Sequence, residues 1–274
     1  MDLGPKVYIW SIILFFTSCR NENVFTVNQI GEQTFVISEK GSFESVNCFL
    51  IIGSEKALLF DTGLGLGNIR LEVERLTSKP IIVINSHAHY DHVNGNHLFE
   101  SVLLNDHIFS IKESEGLDSQ SFREFYKKAY RNPNPVLPKG YEKKAFDYKR
   151  LIKETVIELG NRPVRIIQTP GHTPDGLCLL DVNNNLLFTG DTFYQGTLFL
   201  HLDESDYDTY KTSIEQLRGI SEYDKLAPAH GPYLLSRSKL DSLKKAMDKI
   251  ELIRNKENRP SKELQMDGFK ILIK

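Results

Sequence analysis

His87-Ala88-His89-Tyr90-Asp91-His92 puts four side chains able to hold a metal within six residues, directly after the apolar run Ile81 to Ile84. A run of that length and β-branched content reads as a buried strand. A strand fixes where the loop at its end points, and clustered imidazoles and a carboxylate need that rigidity to converge on one spot. Three further turns each offer one more donor: Pro170-Gly171-His172-Thr173-Pro174, Thr189-Gly190-Asp191-Thr192 and Pro228-Ala229-His230-Gly231-Pro232. Five of the eight histidines fall in this set, so the chain must fold to bring distant turns together.

The surrounding pattern is mixed. Strand-like runs are expected at Val24 to Val27, Thr34 to Ile37, Val46 to Ile52, Ala57 to Phe60, Val164 to Ile167, Leu177 to Leu180 and Leu186 to Phe188. Helical spacing covers Leu66 to Leu76, Tyr207 to Leu217 and Ser236 to Ile253, and a terminal strand is expected at Phe269 to Ile273. Strands and helices alternating through both halves point to an α/β class. Ala57-Leu58-Leu59-Phe60-Asp61-Thr62-Gly63 is echoed by Asn185-Leu186-Leu187-Phe188-Thr189-Gly190-Asp191, which hints at two similar halves. The stretch from 107 to 161 is more polar. Within it Ser121-Phe122-Arg123-Glu124 has capping-box form, and Phe122, Phe125, Tyr126, Ala129 and Tyr130 share a helical face ahead of a proline-rich loop. That helix is read either as a lid over a site or as a helix packed on the body.

Composition narrows the function. With 40% hydrophobic and 26% charged residues, disorder is excluded as the main state. Thirty-four basic against thirty-six acidic residues leave no basic stripe for nucleic acid, so a small-molecule substrate is expected. At the start, Lys6 precedes the apolar run Val7 to Phe16, too short to span a bilayer but suited to a secretory signal. Thr17-Ser18-Cys19 then resembles the lipobox of bacterial lipoproteins. The expectation is a signal peptide over 1–18, a lipid anchor to the membrane at Cys19, one domain over 19–274 with a candidate lid at 107–161, and a place in the bacterial cell envelope. A conventional signal ending near Ser18 and an apolar first strand are the alternatives. Cys48 and Cys178 both sit in apolar runs, as buried thiols or as a disulfide.

The combined motifs closely resemble the metallo-β-lactamase superfamily of dinuclear metal hydrolases, over nearly the whole of 19–274. The resemblance implies a four-layer αββα sandwich with the site along one edge. It implies that His87, His89 and His172 hold one metal, that Asp91, His92 and His230 hold a second, and that Asp191 bridges them, with Asp61 in support. Imidazole with carboxylate suits two Zn2+, and iron or manganese accepts similar sets. The implied reaction is hydrolysis of an ester, lactone or thioester by a hydroxide between the metals, with Asp91 orienting it or carrying a proton.

Asp191 at the bridging position disfavours β-lactam hydrolysis. Only residues 231–274 follow His230, which argues against the longer helical domain of glyoxalase II enzymes. Tyr194 stands where a tyrosine of acyl-homoserine lactonases of this superfamily helps bind the carbonyl; as an ordinary packed tyrosine it needs no such role. Asp175 stands where glycine is often found, and His97, His107 and His201 match no role, reading as structural or exposed. The alternatives from other classes are an iron-dependent sulfur dioxygenase of the same superfamily and a non-catalytic envelope binding protein.

Overall fold

A computed structural model describes residues 24–273 apart from 131, 152–154, 258–262 and 267. The signal segment and Cys19 lie outside the described residues. No helix among those described is long and apolar enough to cross a membrane.

The first half is a seven-stranded sheet. Strands β1 (Phe25–Gly31), β2 (Thr34–Lys40), β3 (Ser45–Ile52) and β4 (Ala57–Phe60) form an antiparallel meander. After α1 (Ile69–Leu76) come β5 (Ile81–Ile84), the short helix α2 (Tyr90–Val93) and β6 (Val102–Asn105). Helices α3 (Ile108–Glu113) and α4 (Ser119–Ala129) precede β7 (Lys149–Leu151). From β4 onward the sheet is extended by parallel pairing, β4 to β5 to β6 to β7.

The second half repeats the plan with a six-stranded sheet. Strands β8 (Val156–Glu158), β9 (Pro163–Gln168), β10 (Leu177–Asp181) and β11 (Leu186–Gly190) are antiparallel neighbours. Next come β12 (Thr197–Leu200), α5 (Tyr207–Gly219), β13 (Lys225–Pro228) and β14 (Leu235–Ser236). Strand β13 lies parallel to β11, and β14 antiparallel to β13. Helix α6 (Ser238–Glu257), β15 (Glu263–Met266) and β16 (Phe269–Ile273) close the chain, with β12, β16 and β15 forming a small third sheet.

Strand periodicity decides the layers. Leu58 and Phe60 point inward, as do Leu179 and Phe188, and the two sheets meet through them, with Phe188 5.1 Å from Phe49 and 6.3 Å from Phe60. The alternate residues Leu59 and Leu50 face out under Ile69 and Val73 of α1. On the other sheet Leu180 and Leu187 face out under Tyr210 and Ile214 of α5 and Leu243 and Met247 of α6. Because β4, β10 and β11 are covered on both faces, they read as unbroken apolar runs. The result is the expected four-layer αββα sandwich. The same alternation puts Cys48 beneath α1 and Cys178 beneath α5, on opposite outer faces, so both are buried free thiols and the disulfide alternative falls away.

Three helix starts differ from expectation, the simplest being α6, which begins at Ser238 because Ser236 is the last residue of β14. Helix α1 begins at Ile69, not Leu66, because the buried Glu39 carboxylate accepts the backbone N–H groups of Leu64, Gly65, Leu66 and Gly67 and holds that segment as a loop. Asn68 then caps the helix. Helix α4 begins at Ser119, and its N-cap is Asp118, which accepts from the backbone N–H of Gln120 and Ser121. The Ser121 hydroxyl donates to the same carboxylate, so Ser121 lies inside the first turn rather than capping it.

Candidate metal centre

The sandwich brings the expected donors to one edge. His87 and His89 leave the carboxyl end of β5, and Asp91 and His92 sit on α2 just beyond. His172 occupies the β9–β10 loop, while Asp191 and His230 follow the carboxyl ends of β11 and β13. Their donor atoms form three groups, each within 4.8 Å: His87, His89 and His172; His87, His92 and Asp191; Asp91, His92 and His230. All seven sequence candidates therefore meet in one cluster.

What surrounds the imidazoles fixes which nitrogen faces inward. Backbone carbonyls and carboxylates only accept hydrogen bonds, so a ring nitrogen facing one carries the proton. His172 Nδ1 donates to the Phe199 carbonyl at 2.8 Å, and His230 Nδ1 to the Ser45 carbonyl at 2.9 Å. His89 Nε2 donates to Glu204 Oε1 at 2.9 Å, and His92 Nδ1 to Asp61 Oδ2 at 2.8 Å. The Ser86 hydroxyl donates to Asp61, which leaves its oxygen to accept from His87 Nδ1 at 3.0 Å. Each opposite nitrogen points into the cluster, where it would offer a lone pair to a bound ion. Without one, burial works to lower His92 and His230, but the surrounding carboxylates outweigh it and raise both well above the usual imidazole range. His87 Nε2 and His172 Nε2 both approach His89 Nδ1, at 2.9 and 3.2 Å.

Asp191 spans the groups. Its Oδ1 lies 3.4 Å from His92 Nε2 and 3.2 Å from His230 Nε2, while Oδ2 faces His172 Nε2 at 3.7 Å. Burial works to raise this carboxyl, but the imidazoles of His230 and His92 outweigh it and hold Asp191 well below the usual carboxylate range. The histidine-rich side is opposite in character. Burial and the neighbouring His89 press His172 down to about 4. Two buried atoms here, His92 Nε2 and Asp191 Oδ1, have no hydrogen-bond partner among the described residues. Unpaired buried donors and acceptors are costly. Five inward ring nitrogens and two carboxylates, with one imidazole nitrogen and one carboxylate oxygen orphaned, fit divalent metal ions, and the donor set agrees.

The cluster floors a cavity of about 660 Å3. Helix α4 forms one wall: Phe122 and Tyr126 pack on Val46, Leu64 and Tyr90, while Phe125, Ala129 and Tyr130 line the cavity. Phe199 and Leu202 line it as well. Tyr194 is buried beside His230, ring centroids 5.1 Å apart, and its hydroxyl proton goes to the Thr197 carbonyl. Asp175 belongs to none of the three donor groups and is buried, accepting from Ser110 at 2.7 Å. His97 is exposed beside the Asn94 carbonyl, and His107 caps α3. His201, matched to no role in the sequence, lines the cavity.

Sequence reasoning missed Glu204, Glu44 and the carbonyls of Ser45 and Phe199. Carbonyls belong to every residue and leave no trace in sequence. Glu204 sits in an ordinary acidic loop, Asp203-Glu204-Ser205-Asp206, where nothing marks it out. Glu44 lines the cavity beneath the Tyr90 hydroxyl, which donates to its Oε2; burial and the charge of Asp91 push its carboxyl up to about 7.

The sequence profile of the metallo-beta-lactamase superfamily matches residues 41–256. The chain is 27% identical over 227 residues to a human protein named acyl-coenzyme A thioesterase MBLAC2, covering 73% of this chain and 79% of that one. It is 31% identical over 206 residues to the probable metallo-hydrolase MJ0888 of Methanocaldococcus jannaschii, covering 72% and 92%. In fold it is similar to the metallo-beta-lactamase family protein TTHA1429 of Thermus thermophilus, with TM-score 0.62, 16% identity and 82% of each chain covered.

Proposed function

From the premise that this chain belongs to the metallo-beta-lactamase superfamily and is a metal-dependent hydrolase, we propose that its metal is zinc and its substrate an acyl thioester. Three features support this reading: the donor set, the apolar wall and the thioesterase named among the relatives. The observation that carries it is the convergence of five imidazoles and two carboxylates on the floor of an aromatic cavity.

His87, His89 and His172 would hold one ion, Asp91, His92 and His230 a second, and Asp191 would be shared between them. Bound there, the pair supplies Lewis acidity toward a carbonyl oxygen and lowers the pKa of water toward neutrality. The chain's own residues do the rest. Glu204, Asp61 and the Ser45 and Phe199 carbonyls keep each ring in one tautomer and orientation. Phe125, Tyr130 and Phe199 offer an apolar surface for an acyl chain and exclude water from it. Asp91 lies 3.2 Å from His230 Nε2 through Oδ2. Burial works to raise its carboxyl, but His92 and His230 outweigh it and hold it well below the usual carboxylate range. It therefore stands as an acceptor that can orient a water beside the reacting atoms. Tyr194 has its hydroxyl proton committed to Thr197, so its phenol oxygen is what it presents to the cavity until that bond turns.

The test is thiol release from acyl-coenzyme A esters of graded chain length, using protein loaded separately with zinc, iron and manganese. Hydrolysis with the zinc form is expected, abolished by His89→Ala. Oxygen uptake with the iron form in place of hydrolysis would mark a dioxygenase and overturn the reading.

The envelope location is proposed from Thr17-Ser18-Cys19 after the apolar run, with Cys19 lipidated. Metabolic labelling with a fatty acid should mark the wild-type chain and not Cys19→Ala. Equal labelling, or none in either, rejects the anchor.

A further inference from the structure

The cavity's carboxyl groups outside the candidate ligand set are Glu44, Asp203 and Glu204. Glu204 is taken by His89. Asp203 stands at the exposed rim, 3.4 Å from Lys128. Glu44 differs from both. It lies on the loop between β2 and β3, next to the Ser45 carbonyl that holds His230, so it flanks the reacting end of the cavity.

Its hydrogen bonding is one-sided. The Tyr90 hydroxyl donates to Oε2, and Tyr130 at the end of α4 stands 3.2 Å from the Tyr90 oxygen. Since Tyr90 gives its proton to Glu44, Tyr130 is the donor in that second bond. The relay Tyr130 to Tyr90 to Glu44 fixes the carboxyl against an aromatic wall. Among the described residues no hydrogen bond reaches Oε1, and the positive charge that acts on Glu44 is that of His230. Glu44 is part-buried and lines the cavity, so a ligand donor entering there can complete its carboxyl.

From this placement we propose that Glu44 is a specificity residue that accepts a hydrogen bond from an N–H group of the substrate, close to its scissile carbonyl. The proposal rests on the thioester reading and narrows it to acyl thioesters whose thiol arm carries an amide. A neutral amide fits better than an ammonium, because divalent ions held by the neighbouring ligand groups would put positive charge on the same side.

The test compares two probes of one shape: S-hexanoyl-N-acetylcysteamine and its isostere in which an ester oxygen replaces the amide N–H. Zinc-loaded wild type should prefer the amide by about tenfold or more in kcat/KM, as expected for a hydrogen bond to a carboxylate. Glu44→Ala should bring the preference close to unity, and Glu44→Gln should leave only a few-fold preference, since its carbonyl still accepts. Tyr90→Phe keeps the carboxyl while removing the relay, and should retain most of the preference. Zinc content and melting temperature, followed in parallel, identify any variant that fails to fold, and Glu44→Gln then carries the test.

No preference in wild type overturns the proposal. So does a preference that survives Glu44→Ala and Glu44→Gln, or one that Tyr90→Phe abolishes as fully as Glu44→Ala. Failure of wild type to cleave either probe defeats the thioester reading itself, and this inference with it, and is seen before any variant is made.

Discussion

Two central strands with nearly the same sequence end at aspartates that do opposite work. Strand β4 runs Ala57-Leu58-Leu59-Phe60 into Asp61, and β11 runs Leu186-Leu187-Phe188-Thr189-Gly190 into Asp191. Each lies parallel to the strand beside it that carries more of the site, β5 or β13. Asp61 itself adopts the left-handed backbone, with φ +66°. Its carboxylate is filled by the Ser86 backbone N–H, the Ser86 hydroxyl and His92. In the second half Gly190 takes the left-handed position, with φ +50°, and the carboxylate comes one residue later. A Cβ at Gly190 would lie 2.4 Å from the Ser86 Cβ, so the glycine is what lets the two strand ends approach. Asp191 consequently points into the cluster with an unpaired oxygen. The lesson is that a carboxylate on the left-handed residue after the strand braces a ligand, whereas one placed a residue beyond that position becomes a ligand itself.

That contrast can be broken most forcefully at Asp191. Asp191→Ala should lower kcat/KM by about a thousandfold or more, because the group reaching both ligand groups is lost. Steady-state kinetics with saturating zinc measures it, and a loss below tenfold would mean that Asp191 is not shared between the groups.

Asp61→Asn should cost less and act differently. Its partner is oriented rather than replaced, so a decrease of about 10–100-fold in metal affinity is expected. Excess zinc should restore much of the activity, as it should not for Asp191→Ala. The buried amide also leaves one bond to Ser86 or His92 unmade, which should reduce stability by about 1–3 kcal/mol in denaturant titration. An Asp61→Asn protein as inactive as Asp191→Ala at any zinc concentration would erase the distinction between the two halves.

The smallest effect concerns the thiols beneath the two outer helix layers. Cys178 is raised by burial to about 11 from 9.0, so the fold favours the neutral thiol. Its contribution to stability is fully present below pH 9, where both states are protonated, and is lost as pH rises from 9 to about 11. Cys48 is likewise pushed up by burial. Alkylation followed by peptide mapping at pH 8 should leave both thiols unmodified in the native protein and modify both in denaturant. Rapid labelling of one alone in the native state would show that its half of the sandwich opens independently.

Much of this was legible in the sequence, for physical reasons that differ by residue. The ligand set is readable because imidazole and carboxylate are the side chains the chemistry requires, and turns rich in Gly and Pro mark where they sit. Strands β4, β10 and β11 are readable because burial on both faces demands apolar runs. Strands β7, β8 and β14, only two or three residues long, carry too little pattern to register. The start of α1 was hidden because Glu39, distant in sequence, captures the N–H groups of the segment before it. The wall formed by α4 shows both cases: its aromatic face is periodic and visible, whereas its division into Phe122 on the body and Phe125 in the cavity depends on where the neighbouring loop lies.

The central claim, that Asp191 joins two groups of ligands into one two-metal centre, is tested most directly by metal content. Apoprotein loaded with zinc, freed of excess ion and analysed by mass spectrometry of the elements should retain two ions per wild-type chain and fewer in Asp191→Ala. Less than one ion per wild-type chain, or two ions held undiminished by Asp191→Ala, would contradict the account.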